Sequence, residues 1–363
     1  MASRVSSIVL IGVVALGWGV PAQMPRASAA EAALAGSPAG EEEGGRSTMA
    51  SALGADPAGL DVAYRREAHG KSGLVRVRQV LPGSQVSLPL DWREPRPAQV
   101  SYRWVAVRGV NGAGQAELGA KSAPRALAAG DVATAPDEPG VYRLELSAGN
   151  RSTRLDELDV VVQIPFRYKE NGYLKGYLIG TYPTERQNRD DRYAPPEGFI
   201  EVTQENRSLR LSEHFTLGEF LTKNQQNVWP KYVVVDTLLL DKLELVMQEL
   251  NARGIRADRM VVMSGYRTPQ YNRQGLNQGR ASLSRHQFGD AADVWVDNDG
   301  DWYMDDLNGD GRRDTKDARV ILEAVEAVER RHPELVGGAG IYRDNGVHGP
   351  FIHIDVRGKR ARW

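Results

Sequence analysis

The residues best suited to carry out chemistry are two histidines and an aspartate near the C-terminal end of the sequence. His286 and Asp293 are seven positions apart with Gly289 between them, and His353 follows much later. In a single strand, positions seven apart point to opposite faces. The spacing therefore predicts a loop that delivers His286, followed by a strand at 292–296 that carries Asp293. Two imidazoles and one carboxylate make a three-ligand set with an open fourth position, as in catalytic zinc sites.

The composition of the chain supports this choice of ligands. The sequence contains no cysteine, which excludes disulfides, thiolate zinc sites and cysteine nucleophiles. Metal ligands must then come from the six histidines and from carboxylates. With two neutral imidazoles and one carboxylate, a zinc ion stays net positive and can acidify water. The alternative is that His286 is a polar loop residue and Asp293 a carboxylate at a strand end.

A second metal site is predicted at residues 306–317, which follow the spacing of an EF-hand calcium loop. Gly311 occupies the sixth position, and Arg312 the seventh, where the backbone carbonyl binds the ion. Oxygen-bearing side chains occupy positions one, three, five, nine and twelve, namely Asp306, Asn308, Asp310, Asp314 and Asp317. Aspartate at the last position replaces the usual glutamate, as in the calcium loops of dockerins, which this stretch resembles.

Further acidic residues precede this loop, so that the predicted calcium region spans 297–317. They are Asp297, Asp299, Asp301 and Asp305, and they suggest a second, weaker calcium site. Carboxylates at this density repel one another unless a cation is bound. The alternative is an acidic turn without a ligand.

The N-terminal residues predict the compartment. Arg4, an apolar run at 8–20 and Ala27-Ser28-Ala29 form a secretory signal peptide over residues 1–30, and an uncleaved anchor is the alternative. Residues 31–61 are rich in Ala, Gly, Glu, Ser and Pro and predict a disordered linker. We therefore expect a secreted or periplasmic protein. The net charge of −1 gives no reason to expect nucleic acid or a membrane as a partner. We expect no stable membrane insertion, and a monomer.

Two segments precede the residues that could carry out chemistry. Residues 62–165 contain short alternating apolar runs separated by turn signals such as Pro82-Gly83 and Pro139-Gly140, which predicts an all-β immunoglobulin-like sandwich. Strands are expected at 74–77, 85–88, 102–107, 141–146 and 158–162. Residues 166–204 are rich in Tyr, Pro and Gly and predict a connector whose tyrosines dock on the last domain.

The last domain, 205–363, has the pattern of an α+β fold with an antiparallel sheet. Thr216 and Glu219 form a capping box that predicts the start of a helix, and a second helix is expected from Asp236 to Asn251. A strand at 260–263 leads into Ser264-Gly265-Tyr266-Arg267. A further helix is predicted at 317–331, with strands at 340–342 and 351–357. Helices and strands segregate rather than alternate, which favours α+β.

Four stretches of this domain resemble the zinc D-Ala-D-Ala carboxypeptidase family, whose fold is shared with the hedgehog signalling domain. They are residues 211–220, residues 264–267, residues 284–293, and residues 351–355 with the trailing Arg357 and Trp363. The resemblance covers about residues 205–363. It implies a peptidase that cuts stem peptides or cross-links of peptidoglycan, with zinc held by His286, Asp293 and His353. It also implies that Arg267 lies in the active site, where it can polarise the scissile carbonyl or hold a substrate carboxylate; a surface ion pair is the alternative.

The sequence departs from the family at the general base. Many members carry Glu or Asp three residues before the last zinc histidine, where this chain has Pro350. Asp355, two residues after His353, is one candidate base, with orientation of a ligand histidine as its alternative role. His348 is the other candidate. We therefore expect a secreted zinc metallopeptidase, a carboxypeptidase or endopeptidase. The alternatives are a catalytically inactive wall-binding protein and a hedgehog-like signalling or adhesion module.

Overall fold

The computed structural model describes residues 59–65, 70–185, 187, 192–278 and 280–363. The predicted signal peptide and all but the last three residues of the predicted linker lie outside this described part. The described residues belong to a single compact unit, Gly54–Trp363. No helix within them combines the length and the hydropathy that crossing a bilayer requires.

The first part of the described chain is built from short strands, as the alternating pattern predicts. They are β1 Val62–Tyr64, β2 Val77–Val80, β3 Gln85–Ser87, β4 Leu90–Trp92, β5 Ser101–Val110, β6 Ala116–Lys121, β7 Arg125–Ala126, β8 Val132–Thr134, β9 Gly140–Ala148 and β10 Arg151–Val162. One sheet has the order β2-β10-β9-β5-β6, with β7 also paired to β5, and the pairs β1-β4 and β3-β8 form two small sheets. All three sheets contribute to one apolar core that includes Trp104, Leu144 and Leu155. The immunoglobulin-like topology stays a prediction.

One strand of this region begins later than predicted. The strand expected at 74–77 starts at Val77, where β2 joins β10 in parallel register. The backbone amide of Arg76 instead donates to the carbonyl of Leu211, so the preceding residues follow a different part of the chain. An alternating pattern identifies a strand but not the neighbour that each of its amides finds.

The segment predicted as a connector carries strands of its own. These strands are β11 Ile164–Pro165, β12 Tyr173–Leu174, β13 Tyr177–Leu178 and β14 Gly198–Val202, and β15 Lys231–Val233 follows them in the chain. β11, β14 and β15 form a three-stranded sheet. The predicted docking of tyrosines goes further than expected, because Tyr177 and Tyr182 are fully buried, and the hydroxyls of Tyr182 and Tyr266 lie 2.8 Å apart. These parts of the segment therefore belong to the main core, whereas Tyr168 and Tyr173 are exposed.

The candidate site lies on a five-stranded sheet backed by two helices. The strands are β16 Met260–Ser264, β17 Ala291–Val296, β18 Gly338–Tyr342, β19 Phe351–Asp355 and β20 Ala361–Arg362, in the order β16-β17-β19-β18-β20. The α-helices are α1 Thr237–Ala252, α2 Pro269–Gln274 and α3 Thr315–Arg331, and short 3-10 helices lie at Phe166–Tyr168, Leu217–Phe220, Leu276–Gln278, Arg285–Phe288 and Pro333–Leu335. This mixed arrangement of sheet and helices agrees with the predicted α+β class.

The helix starts follow the capping residues that the sequence contains. Asp236, the predicted first residue of this helix, is its cap and accepts a hydrogen bond from the amide of Leu238. The helix itself begins at Thr237. The capping box of Thr216 and Glu219 is also formed, but it opens only the single 3-10 turn Leu217–Phe220. A capping box thus predicts where a turn begins and leaves its length to the packing around it.

A buried lysine ties the two long helices to the sheet. The ammonium group of Lys242 in α1 donates to Glu329 in α3 at 2.7 Å and to the backbone carbonyl of Asp355 in β19 at 2.8 Å. Lys242 is completely buried, and Glu329 is buried with it. Because a buried charge needs close partners, this pairing fixes how α1 and α3 lie against the end of β19.

Candidate metal centre

The register of the sheet brings two of the predicted ligands face to face. Asp293 in β17 lies directly opposite His353 in β19, and Gly340 in β18 lies opposite His353 on the other side. Directly opposed residues of an antiparallel pair have neighbouring side chains on the same face of the sheet. Two ligands that are distant in sequence thus become adjacent.

The third ligand enters from a turn that glycine makes possible. His286 lies in the 3-10 helix Arg285–Phe288, which ends at Gly289 with a φ of 75°. A Cβ at this position would lie 2.4 Å from the carbonyl oxygen of Val234, so a side chain is excluded on both counts. The chain then turns into β17, as the spacing of His286 and Asp293 predicts.

Three ligand atoms converge at this point. His286 Nε2 lies 3.2 Å from His353 Nδ1 and 3.2 Å from Asp293 Oδ1, and His353 Nδ1 lies 2.9 Å from Asp293 Oδ1. All three residues are buried. Around a tetrahedral zinc ion with bonds of about 2.0–2.2 Å, ligand atoms lie roughly 3.3 Å apart. The spacing observed is close to that of a metal centre.

The other nitrogen of each ring already has an acceptor. His286 Nδ1 donates to the carbonyl of Gly265 at 2.7 Å, and His353 Nε2 donates to Asp355 Oδ2 at 3.1 Å. These acceptors assign the proton to those nitrogens, which leaves lone pairs on His286 Nε2 and His353 Nδ1. Two lone pairs and a carboxylate oxygen then face one another without a proton between them. This donor set fits a divalent cation such as zinc, whose histidine ligands are oriented in this way.

Burial and neighbouring charges shift the pKa values of the three ligands in different directions. Burial lowers the pKa of His286 to about 4, so this ring is neutral at physiological pH. Burial also opposes charge on His353, but hydrogen bonds with Asp293 and Asp355 outweigh it and raise the pKa of His353. Burial would raise the pKa of Asp293, yet the two histidines and Arg267 hold it well below its usual range. Asp293 is therefore an anion ready to bind a cation.

Both carboxylate oxygens of Asp355 accept hydrogen bonds from neighbouring groups. Besides the proton of His353, its carboxylate accepts hydrogen bonds from the backbone amide of Gly338 at 2.7 Å and from the amide and guanidinium of Arg357. It is completely buried. Burial favours its neutral form, but the pairing with His353 and Arg357 prevails and lowers its pKa. This geometry favours the orienting role for Asp355 over that of general base, because a base needs an accessible lone pair.

Arg267 lies in the centre, as the resemblance implies. Its Nε donates to Ser264 Oγ at 2.8 Å, and its Nη2 donates to Asp293 Oδ2, so the carboxylate of Asp293 bridges the guanidinium and the two histidines. The backbone amide of Arg267 also donates to the carbonyl of His286. This is not the surface ion pair of the alternative interpretation, since both side chains are largely buried.

His348 lies at the rim rather than among the three ligands. Its Nδ1 donates to the carbonyl of Gly349 at 2.9 Å, and its ring lies edge-on to Phe351 at 4.8 Å between centroids. Phe351 and His353 are two residues apart in β19 and so share a face of the sheet. The Phe351 side chain therefore lies between His348 and His353 on this face of the sheet. Because Nδ1 of His348 is the donor, its Nε2 carries a lone pair that can accept a proton.

The resemblance includes Trp363, but the sequence does not show that its ring contacts the centre. Trp363 fills the space above Gly340, where a Cβ would come within 2.2 Å of its Nε1, and its ring lies 5.4 Å from that of His353. The indole also donates to the hydroxyl of Tyr342 at 2.8 Å. The parallel register of β20 with β18 brings Trp363 beside Gly340, and Gly340 in turn lies opposite His353 in β19. Neither pairing is evident from the sequence.

The acidic residues lie apart from this centre, in the stretch between β17 and α3. In the part of the chain that the structure describes, Asp297, Asp299 and Asp305 form a group whose oxygens lie within 4.8 Å of one another, as do the ligand atoms of the histidine centre. Asp301 pairs with Arg313, and Asp297 within the group pairs with Arg259 at 2.8 Å. The predicted weaker calcium site is thus the one at which carboxylates converge.

The loop at 306–317 is held largely by its own hydrogen bonds. Asp306 accepts from the amides of Gly309, Asp310 and Gly311, and Asp317 accepts from those of Leu307, Asn308 and Asp314. Asp310 pairs with Lys316 at 2.7 Å, and Asp314 caps α3. Arg312 contributes its backbone amide to Asp310. Calcium binding by this loop stays a prediction.

Comparison with known proteins agrees with this centre. Residues 213–308 match the family model described as Peptidase M15. The matched stretch includes Arg267, His286 and Asp293 and ends before His353. No curated protein and no solved structure shows a significant match to the chain. The matched residues and the convergence of the two histidines with Asp293 support the assignment of this region to the M15 peptidase family.

Proposed function

We propose that this protein is a secreted or periplasmic zinc metallopeptidase that hydrolyses peptide bonds in peptidoglycan stem peptides or cross-links. The observation that carries the proposal is the convergence of two imidazole lone pairs and the Asp293 carboxylate, with each ring fixed from behind. A closed structural site would need a fourth protein ligand, whereas three ligands leave a position for water or substrate. Both a D-Ala-D-Ala carboxypeptidase and an endopeptidase fit this arrangement.

Each residue of the centre has a separate role in the proposed reaction. Zinc bound here supplies Lewis-acid polarisation of the scissile carbonyl and acidifies water. Arg267, fixed by Ser264 and Asp293, directs positive charge at the position where the carbonyl oxygen gains negative charge. His348 is the group we assign to accept the proton of the attacking water and to pass a proton to the leaving amine. Asp355 orients His353 and takes no proton.

Digestion of defined muropeptides tests the proposal. The full-length mature protein, loaded with one zinc ion, is expected to release D-alanine or to open a cross-link, as read by mass spectrometry of the products. A chelator should abolish the reaction and added zinc should restore it, because the chemistry depends on the metal. A zinc-loaded protein that binds these peptides but leaves all of them intact would contradict the proposal. That result would favour the alternative of a catalytically inactive wall-binding protein. This alternative is worth testing because Pro350 occupies the position where many members of the resembled family carry a carboxylate.

We propose in addition that calcium binds within residues 297–317 and stabilises the fold without taking part in the chemistry. The spacing of oxygen side chains at 306–317 and the convergence of Asp297, Asp299 and Asp305 support this. The stretch connects β17, which carries Asp293, with the elements that lead to His353. A cation there would hold the two ligand-bearing segments in register.

Thermal unfolding tests the calcium proposal. A ligand that binds the folded state and not the unfolded chain raises Tm as its concentration increases. We expect Tm to rise with millimolar calcium, and Asp310→Ala to reduce or remove the rise if 306–317 is the site. Asp299→Ala is the matched variant for the other acidic group. Equal Tm values for the wild type in calcium and in a calcium-selective chelator would show that both stretches are acidic turns.

A further inference from the structure

A short segment that precedes α1 runs alongside the strand end that carries Arg267. The amide of Tyr266 donates to the carbonyl of Phe220 at 2.9 Å, and Thr222 Oγ1 donates to the carbonyl of Tyr266 at 3.0 Å. The amide of Thr268 donates back to Thr222 Oγ1 at 3.1 Å. Thr222 is therefore bonded to both neighbours of Arg267. This pairing holds residue 223 next to segment 266–268, which carries Arg267.

That residue is Lys223, whose side chain is exposed. Among the described residues its ammonium group has no hydrogen bond or ion pair, yet it interacts electrostatically with Tyr271, Arg267 and Asp293. Although the residue as a whole is exposed, partial desolvation of its ammonium group lowers its pKa, and the nearby charge of Arg267 lowers it further. Within the described part of the chain, Lys223 thus lies near another cation and has no ion-pair partner of its own.

The charge of the centre indicates what this ammonium group binds. Asp293 already balances Arg267, to which it is hydrogen bonded. A divalent ion added to the two neutral histidines leaves the whole group net positive, and Lys223 adds to the excess. A site of this kind attracts an anionic group of the substrate, and a carboxylate is the anion that peptides carry.

We propose that Lys223 is a specificity-determining residue that binds the carboxylate on the substrate carbon bearing the leaving amine. This inference rests on the proposed peptidase function and narrows its substrate class. Two sources present the same chemistry: the terminal D-alanine of a stem peptide, and the acceptor diamino acid of a cross-link, which keeps a free carboxylate beside the scissile amide. In both, hydrolysis adds water across the amide, and the leaving amine departs with that carboxylate attached.

Binding of uncleavable analogues to the zinc-loaded, full-length mature protein tests the inference without relying on turnover. The probes are a stem peptide ending in D-Ala-D-Ala and a cross-linked dimer, each with the scissile amide reduced to an amine. Each is prepared with the free carboxylate and with the carboxamide. A hydrogen bond between charged groups predicts that Lys223→Met weakens binding of the carboxylate forms by about 10- to 100-fold. The carboxamide forms should bind wild type and variant equally, and Lys223→Arg should retain most of the preference.

The two analogues distinguish the source of the carboxylate. If Lys223→Met removes the preference for carboxylate over carboxamide only in the stem peptide, the protein is a carboxypeptidase. If it removes that preference only in the cross-linked dimer, the protein is an endopeptidase. Equal weakening of carboxylate and carboxamide forms, or no change in either, would overturn the role of Lys223. If the analogues behave as expected while no natural muropeptide is cleaved, the proposed peptidase function fails and the carboxylate site stands. Zinc content and Tm of each variant confirm that the fold is intact.

Discussion

His353→Ala is expected to lose the metal ion and, with it, all peptidase activity above background. The variant removes one of three protein ligands and leaves His286 Nε2 and Asp293 Oδ1 as an incomplete pair. Without the ion there is neither polarisation of the scissile carbonyl nor acidified water. Zinc content by mass spectrometry of metals, followed by muropeptide digestion, measures both effects. A variant that keeps one tightly bound zinc would contradict the ligand set.

Two neighbouring substitutions separate metal binding from proton transfer. Asp355→Asn keeps the size of the side chain but weakens the acceptor behind His353, so we expect zinc affinity to fall by about 10- to 100-fold. His348→Ala touches no ligand, and we expect it to keep zinc while turnover falls by about 10²- to 10⁴-fold. The opposite pattern, with turnover lost at normal zinc affinity in Asp355→Asn, would return the role of base to Asp355.

The centre was predictable from the sequence because its residues carry their own signals. A histidine, a glycine and an aspartate at fixed spacing predict a loop and a strand, and the positive φ of Gly289 explains why that spacing works. The helix start at Asp236 is equally local, since a cap depends on residues within one turn. The third helix begins at Thr315 after its cap Asp314, two residues before the predicted start at 317. Features that depend on a few neighbouring residues can be inferred from those residues.

What escaped prediction depends on contacts between distant segments. Nothing near Asp355 in the sequence shows that the backbone amide of Gly338 donates to its carboxylate, and this contact helps to decide between base and orienting residue. Lys223 is an ordinary surface lysine until the hydrogen bonds of Thr222 place it beside Arg267. The tyrosines of residues 166–204 suggest docking, but only the three-dimensional core shows that Tyr177 and Tyr182 are fully buried while Tyr168 and Tyr173 are exposed.

A fragment that begins at residue 205 is expected not to fold, although the sequence suggests a domain boundary there. The cut removes β14, which pairs with β15 through Ile200 and Val233. It also removes apolar side chains that are at most 1% exposed in the main core: Leu174, Tyr177, Ile179, Tyr182, Phe199, Ile200 and Val202. Each such side chain contributes about 1.5–3 kcal/mol through burial. Their combined loss, on the order of 10–20 kcal/mol, matches or exceeds the usual stability of a whole domain, about 5–15 kcal/mol.

The matched control begins at residue 163 and keeps the whole β11-β14-β15 sheet. It loses the contacts that β2 and β10 make with the main core through Val77 and Val161, so we expect a cooperative but lower thermal transition than in the intact protein. Near-ultraviolet circular dichroism and urea unfolding compare the two fragments. The fragment from 205 should show no cooperative transition and no stoichiometric zinc, because the ligands are positioned only in the folded sheet. A cooperative transition in that fragment would show that residues 166–204 are a connector after all.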